Sequence, residues 1–331
     1  MTRALALTSG GLDSILAAKL IEQQNIEVIG ICFKSAFFGS ANAENMAQQI
    51  GLKLIVVDFT EEHLQMVKNP KNGYGKNMNP CIDCHAMMFR HAGRMMKELE
   101  ADFLVTGEVL NQRPMSQNRR ALDIVLEESG YKGRILRPLC ALNLPETEME
   151  KSGLVDRSKL MGISGKSRRT QMELAKQLGI ENYPTPAGGC LLTEPQFSDR
   201  LRDVFAVDKE DIDPVDIELL KLGRHFRLSD KVKVISTRTQ EEYMRLRSLI
   251  KDGHVIFNAA DYHGSTVLVI TKKGHEPTEN DIKFAAGITA RYSKGRENKN
   301  IVVKYKKRND TEHKYVTVSP MNDDDLKDFL I

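Results

Sequence analysis

Residues 4–24, ALALTSGGLDSILAAKLIEQQ, join a short apolar run to a helical pattern through two adjacent glycines. ALALT is typical of a buried strand, and the part from Leu12 onward carries apolar residues at helical spacing. Glycines let a backbone approach an anion closely, and the N-terminus of a following helix supplies free N–H groups and the positive end of the helix dipole. The stretch therefore predicts a strand, an anion-binding loop and a helix. The simpler alternative is a tight turn capped by Ser and Asp.

The rest of the first half repeats this alternation of strand and helix. Nearly continuous apolar runs predict further strands over 26–33, 52–59, 101–107 and 134–139, with helical patterns between them. Apolar strands that alternate with helices are typical of a parallel sheet covered on both faces. We therefore predict that residues 1–195 form an α/β domain with a doubly wound parallel sheet.

The second half has a different pattern. Charged helical segments over 196–225 predict a connector. Over 226–331 we predict a smaller α+β domain, with a mainly antiparallel sheet and a single helix at ENDIKFAAGITARYS. A length of 331 residues fits such a division into two domains. The predicted strands are KVKVIS (231–236), HVIFNA (254–259), STVLVITK (265–272), NIVVKYKK (300–307) and KYVTVS (314–319).

Composition and charge restrict the class of protein. The chain contains five cysteines, an odd number that favours reduced thiols and a cytoplasmic location. No apolar run reaches the roughly 18–20 residues of a membrane-spanning helix. The net charge is +3, but residues 226–308 carry 18 Lys and Arg against nine Asp and Glu. This concentration of positive charge favours a polyanionic partner, and an ordinary basic surface is the alternative.

The loop SGGLDS (9–14) resembles the loop of the PP-loop (ATP pyrophosphatase) superfamily, and the first domain lacks the Walker pattern GxxxxGK[ST]. The resemblance implies that the loop holds the pyrophosphate of ATP while a substrate oxygen attacks the α-phosphorus and becomes adenylylated. It also implies a catalytic Asp13 with Mg²⁺ held nearby. By position alone, Phe33 is expected near the adenine. The loop residues implied in nucleotide binding are Ser9, Gly10, Gly11, Leu12, Asp13 and Ser14.

Two cysteines three positions apart, Cys81 and Cys84, stand at the start of a predicted helix. A helix N-terminus lowers the pKa of a thiol and favours the reactive thiolate, so we expect a sulfur-handling site here. Cys190, in the loop PTPAGGCLLTEP, is expected to approach the same edge of the sheet. Cys32 lies inside an apolar strand and is expected in the core, whereas a role for Cys140 as a sulfur relay is left open.

The stretch from Cys81 to Gln117 resembles ThiI-type tRNA sulfurtransferases, in which a CxxC pair and its helix precede a second motif. ILRPLCALN (135–143) also resembles a segment of this family. The sequence departs from the second motif at Asn111, where glycine is usual, and over 113–115. The resemblance implies that Thr106, Gly107 and Gln112 contribute to the nucleotide site. The matching residues are Thr106, Gly107, Glu108, Leu110, Gln112, Ser116 and Gln117.

The arrangement of Cys81, Cys84 and Cys190 resembles that of TtcA-type thiolases and archaeal ThiI proteins. Those proteins hold a [4Fe–4S] cluster with three cysteines and leave one iron free for sulfide. The resemblance implies that the three cysteines are catalytic and are the ligands of such a cluster. Three alternatives stay open: a Zn²⁺ site completed by His85 or His91, a persulfide carried between Cys84 and Cys190, and buried thiols without a role.

The segment from Arg291 to Arg308 contains eight basic residues and one acidic residue, with tyrosines among them. Lys and Arg neutralise phosphates, and aromatic rings stack on unpaired bases. The ARYSK helix end before a basic strand is similar to the RNA-binding module of NFACT proteins, and a solvated strand and loop is the alternative. The residues expected to contact RNA are Arg291, Tyr292, Lys294, Arg296, Lys304, Lys306, Lys307 and Arg308.

These resemblances imply an ATP-dependent tRNA sulfurtransferase that makes thiouridine by adenylylating a uridine carbonyl oxygen and transferring sulfur. Sulfur insertion is favoured because the sequence has no glutaminase-like region as an ammonia source. The alternatives are a PP-loop enzyme that inserts nitrogen, by amidation or nitrile synthesis, and a non-catalytic nucleotide- and RNA-binding adaptor. The expected partners are tRNA and a sulfur donor, either sulfide or a cysteine desulfurase. A homodimer is left open, and no membrane partner is expected.

Overall fold

The computed structural model describes residues 2–185 and 189–331, and the chain divides into two compact units, Met1–Thr193 and Glu194–Ile331. The predicted fold class is confirmed. The first unit is an α/β domain on a parallel sheet, and the second is an α+β domain on an antiparallel sheet. None of the helices in the described residues combines the length and the hydrophobicity that crossing a bilayer requires.

The first unit is built on a parallel sheet. Its strands are β1 (Arg3–Leu7), β2 (Glu27–Lys34), β3 (Lys53–Asp58), β4 (Phe103–Thr106) and β5 (Ile135–Leu136). Their order is β3-β2-β1-β4-β5, and all neighbouring strands are parallel. The chain leaves β1 towards β2 on one side and returns to β4 on the other, so the loops after β1 and β4 separate. A cleft at the carboxyl ends of the strands is expected at such a point.

Helices cover both faces of this sheet. They are α1 (Leu12–Glu22), α2 (Ala41–Ile50), α3 (Thr60–Lys68), α4 (Cys81–Glu98), α5 (Arg119–Ser129), α6 (Glu148–Lys151) and α7 (Arg169–Gln177). On one face, buried residues of α1, α2 and α7 pack in a core with Ala4 and Ala6 of β1. On the other, α4 and α5 pack with Leu5 and Leu104. Because alternate residues of each strand point to opposite faces, strands buried on both faces are apolar throughout.

The second unit is built on an antiparallel sheet. Its strands are β6 (Arg224–Ser229), β7 (Val232–Ser236), β8 (Val255–Ala259), β9 (Val267–Thr271), β10 (Ile301–Lys307) and β11 (Lys314–Val318). Their order is β11-β10-β8-β9-β7-β6. The helices of this unit are α8 (Pro195–Asp208), α9 (Pro214–Leu220), α10 (Gln240–Leu249), α11 (Glu279–Arg291) and α12 (Asp323–Lys327). α8 and α9, which cover most of the predicted connector, therefore belong to the second unit.

The prediction of a single helix within the second domain is wrong. α11 forms where it was predicted and packs on the face of the sheet that contains Phe257 and Val303. A second helix, α10, packs on the opposite face with Ile235 and Leu268. Its residues are mostly exposed, and Leu246 is its buried residue, so the sequence carries no clear helical stripe of apolar residues there.

Candidate active site

The loop after β1 is shaped by its glycines and by the helix beside it. Gly10 has φ 77°, and a Cβ on this residue would lie 2.3 Å from the carbonyl carbon of Asn42 in the first turn of α2. Only glycine fits such a position without moving a neighbouring backbone. The N–H groups in the first turn of a helix have no acceptor within that helix. Because Gly10 touches the first turn of α2 and α1 follows the loop directly, the N-termini of both helices lie beside the loop. Their free N–H groups favour an anion at this position.

Asp13, in the first turn of α1, is held by residues from distant parts of the first unit. Its Oδ2 accepts a hydrogen bond of 2.6 Å from Gln112 Nε2, and its Oδ1 lies 3.6 Å from Arg168 Nη2. The buried Gln171 of α7 donates from Nε2 to Gln112 Oε1 at 2.7 Å. Arg168 and Gln171 were not predicted, because neither belongs to a recognisable motif and only the folded chain brings α7 beside α1.

Three polar atoms of this network have no hydrogen-bond partner in the described part of the chain: Asp13 Oδ1, Arg168 Nε and Gln171 Oε1. All three are buried, and an unpaired buried polar atom is costly in free energy. A cation would satisfy the carboxylate oxygen, and a phosphate oxygen would satisfy the guanidinium N–H. The network beside the loop therefore fits a phosphate group accompanied by a divalent cation.

The other residues predicted for this site lie in different environments. Ser9 is exposed, whereas the side chain of Leu12 is buried in the hydrophobic core, so Leu12 can offer only its backbone. Ser14 is buried, and its hydroxyl donates to a backbone carbonyl of the loop at 2.8 Å. Phe33 is buried against Phe59, with ring centroids 5.1 Å apart, so its ring belongs to the core of the first unit.

The segment after β4 passes next to the loop. A Cβ on Gly107 would lie 2.4 Å from the carbonyl carbon of Asp13, so this close approach requires glycine. Thr106 is buried, and its Oγ1 accepts a hydrogen bond of 3.3 Å from the N–H of Glu108. Asn111 has φ 63°, a left-handed conformation that Gly and Asn adopt more readily than other residues. Asn therefore suits the position where the motif usually has glycine.

The structure brings Cys81, Cys84 and Cys190 into electrostatic contact at the start of α4. Burial, followed by the charges of Cys190, Cys81 and Asp83, raises the pKa of the Cys84 thiol well above its usual value. The predicted lowering of the thiol pKa by the helix N-terminus is therefore wrong for Cys84. The reason is that a helix end stabilises a thiolate by less than the removal of water and three neighbouring acidic groups destabilise it.

Cys84 also has a histidine neighbour that was not predicted. Its Sγ lies 3.3 Å from Nε2 of His63, which is surrounded by the rings of Phe37, Phe38 and Phe59. Burial lowers the pKa of His63 to about 4, so the imidazole is neutral near pH 7. The sequence holds no signal for this contact, because His63 lies in α3 and meets the thiol only through the packing of α3 beside α4.

The segment that carries Cys190 is fixed to two other parts of the first unit. The N–H of Leu191 donates to the carbonyl of Phe37, after β2, at 3.0 Å. Asn77 Nδ2, just before the CxxC pair, donates to the carbonyl of Thr193 at 2.6 Å. These two hydrogen bonds hold the third cysteine near the first two.

The thiols are not arranged as a closed set of metal ligands. In the described part of the chain, no group of three or more His, Cys, Asp or Glu side chains is positioned to hold a metal ion. The two histidines considered as zinc ligands contact carboxylates, His85 to Glu108 at 2.7 Å and His91 to Glu62 at 2.5 Å. Residues 186–188 of the predicted PTPAGGCLLTEP loop lie outside the described residues.

Glu108 is a buried carboxylate with two nitrogen partners. Arg137 Nε donates to its Oε2 at 2.9 Å, and His85 Nδ1 lies 2.7 Å from its Oε1. Burial alone would raise the pKa of Glu108, but the charge of Arg137 and the hydrogen bond to His85 outweigh it and lower the pKa to about 2. The carboxylate therefore stays ionised and fixes the orientation of the imidazole.

One short segment connects the loop to the thiols. Glu108 contacts His85, which follows Cys84 directly in α4. Gln112, in the same segment, contacts Asp13 of the loop. The two predicted sites are therefore two sides of one region at the carboxyl edge of the sheet.

The remaining two cysteines are buried. Burial raises the pKa of Cys32 and of Cys140 to about 11. Cys32 lies in the core, as predicted. The thiol of Cys140 donates to the carbonyl of Glu108 at 3.3 Å. Both thiols are therefore protonated near pH 7, as the thiol of Cys84 is, and a role for Cys140 as a sulfur relay stays a hypothesis.

The residues predicted to bind RNA fall into two groups in the second unit. Lys306 and Arg308 donate to backbone carbonyls, and Lys307 Nζ lies 2.7 Å from a carboxylate oxygen of Glu276. The other residues line one open cavity. They are Arg291, Tyr292, Lys294, Arg296 and Lys304.

Two family models match the chain. Residues 1–170, about half of its length, match the model described as thiamine biosynthesis protein (ThiI). Residues 223–330 match the model described as NFACT protein RNA binding domain. The first match falls within the first unit and the second within the second unit.

Individual proteins are similar to the chain at lower identity. The tRNA-specific 2-thiouridylase MnmA of Methylobacterium radiotolerans is 26% identical over 252 residues, which are 68% of this chain and 60% of that protein. MnmA of Rhizobium etli is 30% identical over 143 residues, 37% of this chain and 35% of that protein. The chain thus spans less than two thirds of these relatives. A solved 4-thiouridine synthetase–RNA complex with bound ATP is 20% identical, with TM-score 0.36, and the match covers 63% of this chain and 53% of that chain.

Proposed function

The chain belongs to the ThiI family, and we propose that it is an ATP-dependent tRNA sulfurtransferase that makes thiouridine. A uridine carbonyl oxygen attacks the α-phosphorus of ATP and pyrophosphate leaves. Sulfur then attacks the activated carbon, and AMP leaves with the former carbonyl oxygen. The observation that carries the proposal is the segment after β4, which contacts Asp13 of the anion-binding loop through Gln112 and the neighbour of Cys84 through Glu108.

In this proposal the loop binds the phosphates of ATP. Gly10 and Gly11 let the phosphates approach the backbone, and the N-termini of α1 and α2 stabilise the negative charge of the leaving pyrophosphate. Mg²⁺ takes one or two carboxylates together with substrate phosphates, so Oδ1 of Asp13, which accepts no hydrogen bond, is a suitable ligand. Arg168, 3.6 Å from that oxygen, is placed to contact the same phosphates.

The thiols would deliver the sulfur. If sulfide is the donor, it forms the new carbon–sulfur bond and AMP leaves without any change of oxidation state. If Cys84 carries a persulfide, its outer sulfur forms that bond, and the thiolate of Cys81 or Cys190 then breaks the sulfur–sulfur bond. The second route leaves a protein disulfide, which an external thiol such as a cellular dithiol must reduce.

We also propose that Cys81, Cys84 and Cys190 hold a [4Fe–4S] cluster. Three thiols in electrostatic contact are the kind of donor set that such clusters use, although they are not arranged here as a closed ligand set. A cluster held by these three cysteines would supply an iron that could bind sulfide. Zinc and a persulfide without metal are the alternatives.

The metal proposal is tested by purifying the full chain without oxygen and measuring iron, sulfide and zinc. We expect iron and sulfide in equal amounts, and their loss in Cys84→Ala. Cys140→Ala is the matched control, since it removes a buried thiol outside the proposed ligand set and should keep the iron. A colourless protein with stoichiometric zinc would contradict the cluster.

We assign the chemistry to residues 1–195, RNA binding to 226–331 and the connection between them to 196–225. The match of residues 223–330 to an RNA-binding domain supports RNA as the partner. The basic residues around the open cavity supply the charge that phosphates require.

The function is tested by incubating the full chain with unmodified tRNA, ATP, Mg²⁺ and sulfide, and by measuring the masses of the nucleosides. We expect a uridine heavier by the difference between sulfur and oxygen, together with AMP. A product in which nitrogen replaces oxygen would indicate the nitrogen-inserting class instead. Tight tRNA binding without any release of AMP would indicate a non-catalytic adaptor.

A further inference from the structure

The second unit has an open cavity of about 1000 Å³ at one end of its sheet. Its walls come from β6 and β10, the ends of β7 and β8, the loop between β8 and β9, the N-terminus of α10 and the segment after α11. Its volume is at the upper end of the roughly 300–1,000 Å³ typical of small-molecule pockets, but those are mostly apolar. We call it the basic cavity after the residues that line it: Arg224, Arg238, Arg291, Lys294, Arg296 and Lys304.

Several of these cations have no acidic partner. In the described part of the chain, the side chains of Arg224, Lys294 and Lys304 have no ion pair with a carboxylate, and Arg238 donates to a backbone carbonyl. Arg291 and Arg296 differ, because Arg291 is paired with Asp323 at 2.7 Å and Arg296 is paired at 3.2 Å with Glu297, which also lines the cavity. Unneutralised cations that converge on a concave surface create a positive potential and attract a polyanion. The N-terminus of α10 adds the positive end of a helix dipole to the same cavity.

Aromatic rings stand among these cations. Tyr262 lines the cavity, and its side chain is 39% exposed, so the ring is accessible to a ligand. Tyr243 lines it as well, and the guanidinium of Arg224 lies 4.4 Å above the ring centroid of Tyr292. Exposed rings and stacked guanidinium planes are the surfaces on which unpaired bases stack.

The walls of the cavity are held by backbone contacts. The N–H of Ser265 donates to the carbonyl of Tyr292 at 3.1 Å, and that of Lys294 donates to the carbonyl of His263 at 2.8 Å. A Cβ on Gly295 would lie 2.5 Å from the ring of Tyr262, so the ring rests directly on the glycine backbone. The exposed ring is therefore fixed in place before any ligand binds, which lowers the entropic cost of binding.

We propose that the basic cavity binds an unpaired segment of the RNA substrate, with phosphates on Arg224, Lys294 and Lys304 and a base stacked on Tyr262. The inference rests on the proposed function for the identity of the RNA. A duplex keeps its bases stacked inside, so it could use the cations but not the ring. An acidic polypeptide could also use the cations, but its carboxylate side chains have no aromatic surface that could stack on the ring. The fixed ring of Tyr262 among cations without acidic partners therefore favours single-stranded RNA.

The first test compares two lysines of β10. Lys304 lines the cavity, whereas Lys307 is paired with Glu276 outside it. Binding of a fluorescent single-stranded RNA of about ten nucleotides to the full chain is measured by anisotropy at several salt concentrations. We expect Lys304→Gln to weaken binding about three- to tenfold and to reduce the salt slope by about 0.7, the loss of one phosphate contact. Lys307→Gln should change both by less than Lys304→Gln does, because the charge of Lys307 is already paired with Glu276, and equal effects of the two variants would overturn the proposal.

The second test concerns the ring. Tyr262→Leu should weaken binding of the same RNA about tenfold without changing the salt slope, because stacking is not electrostatic. Tyr262→Phe keeps the ring and should bind within about twofold of the wild type. If a hairpin without unpaired ends binds as tightly as the single strand, or if polyglutamate competes equally, the site does not recognise unpaired nucleotides.

These measurements need neither ATP nor sulfide, so they are independent of catalysis. Single-stranded RNA that binds through Lys304 and Tyr262, in a chain that forms no thiouridine, would leave the cavity site intact and contradict the proposed function. If the chain forms thiouridine but neither substitution changes its RNA binding, the proposed function is supported and the cavity site is contradicted.

Discussion

Each unit contains a carboxylate that contacts two basic side chains: Glu108, which is buried, and Asp203, which is half-buried. Glu108 of the first unit contacts Arg137 and His85 at 2.9 and 2.7 Å. Asp203 of the second unit contacts Arg227 Nη2 at 2.7 Å and Lys233 Nζ at 2.6 Å. Burial would raise the pKa of each carboxyl group, and in both cases the partners lower it instead.

The Glu108 cluster and the Asp203 cluster differ in what their basic side chains lie next to. His85 lies next to Cys84 in α4, so the Glu108 cluster is joined to the thiols. Asp203 connects α8 to β6 and β7 and contacts none of the residues proposed for catalysis or RNA binding, among those that the structure describes. A buried ion cluster with a shifted pKa therefore indicates a functional site only when its partners reach reactive groups.

Asp13 is a third carboxylate for this comparison, and its substitution should have the largest effect on activity. Asp13 has one oxygen without a hydrogen-bond partner, unlike Glu108 and Asp203. Asp13→Asn removes the charge available to Mg²⁺ and to Arg168, so we expect the rate of thiouridine formation to fall by about 100- to 1,000-fold. Mass analysis of tRNA nucleosides measures this rate. RNA affinity should be unchanged, and an unchanged yield of thionucleoside would rule out adenylylation at this loop.

The two thiols near Glu108 provide the next comparison. Cys84 interacts electrostatically with Cys81 and Cys190 and lies 3.3 Å from His63, whereas the buried Cys140 donates to the carbonyl of Glu108. We expect Cys84→Ala to lower thiouridine formation by at least about 100-fold, since the sulfur carrier or cluster ligand is lost. Cys140→Ala should stay within about threefold and lower the free energy of unfolding by about 1 kcal/mol. Equal loss of activity in both would make Cys140 part of the sulfur route.

The comparison of Glu108 with Asp203 is tested directly by neutral substitutions. Glu108→Gln and Asp203→Asn each leave a buried cation without its partner, so both should lower the free energy of unfolding by about 3–5 kcal/mol. Only Glu108→Gln should also lower thiouridine formation, by about 10- to 100-fold, because it releases the orientation of His85. Urea unfolding and nucleoside analysis measure the two effects. If folded Asp203→Asn loses as much specific activity as Glu108→Gln, the two clusters do not differ in their role in catalysis.

The smallest effect is the dependence of stability on pH. The pKa of Glu108 is about 2 in the folded chain, below the value of roughly 4.3 in unfolded chains. Its stabilisation is therefore complete above pH ~4.3 and is lost as the pH falls towards 2. The free energy of unfolding, measured with urea, should fall across this pH interval more steeply for the wild type than for Glu108→Gln. If the free energies of unfolding of the two proteins depend on pH in the same way, Arg137 and His85 do not lower the pKa of Glu108.

The parts of the molecule that local chemistry controls were predictable. β1, the glycine loop and α1 form within one continuous stretch, and their signals are apolar runs, glycines and helical spacing. The missed helix α10 shows the limit of this rule, since a helix that buries little carries little pattern. The missed Arg168, Gln171 and His63 show another limit, because their roles arise from contacts with residues far away in the chain.

The pKa of Cys84 and the division of the basic residues show how tertiary contacts change a local expectation. A helix N-terminus favours a thiolate, but burial and the charges of Cys190, Cys81 and Asp83 oppose it more strongly. Lys304 and Lys307 belong to one strand, and the sequence predicted that both contact RNA. In the folded chain, the first lines the basic cavity and the second is paired with Glu276.

The sequence by itself determined the kind of chemistry available: an anion-binding loop, a pair of thiols with a third at a distance, and a basic second half. Its apolar periodicity also determined the fold class. Only the tertiary structure decided which groups meet, since Gln112 reaches Asp13 across 99 positions of the chain. The physical reason is that parallel strands place their carboxyl ends at one edge of a sheet, and strand order then sets which loops are neighbours.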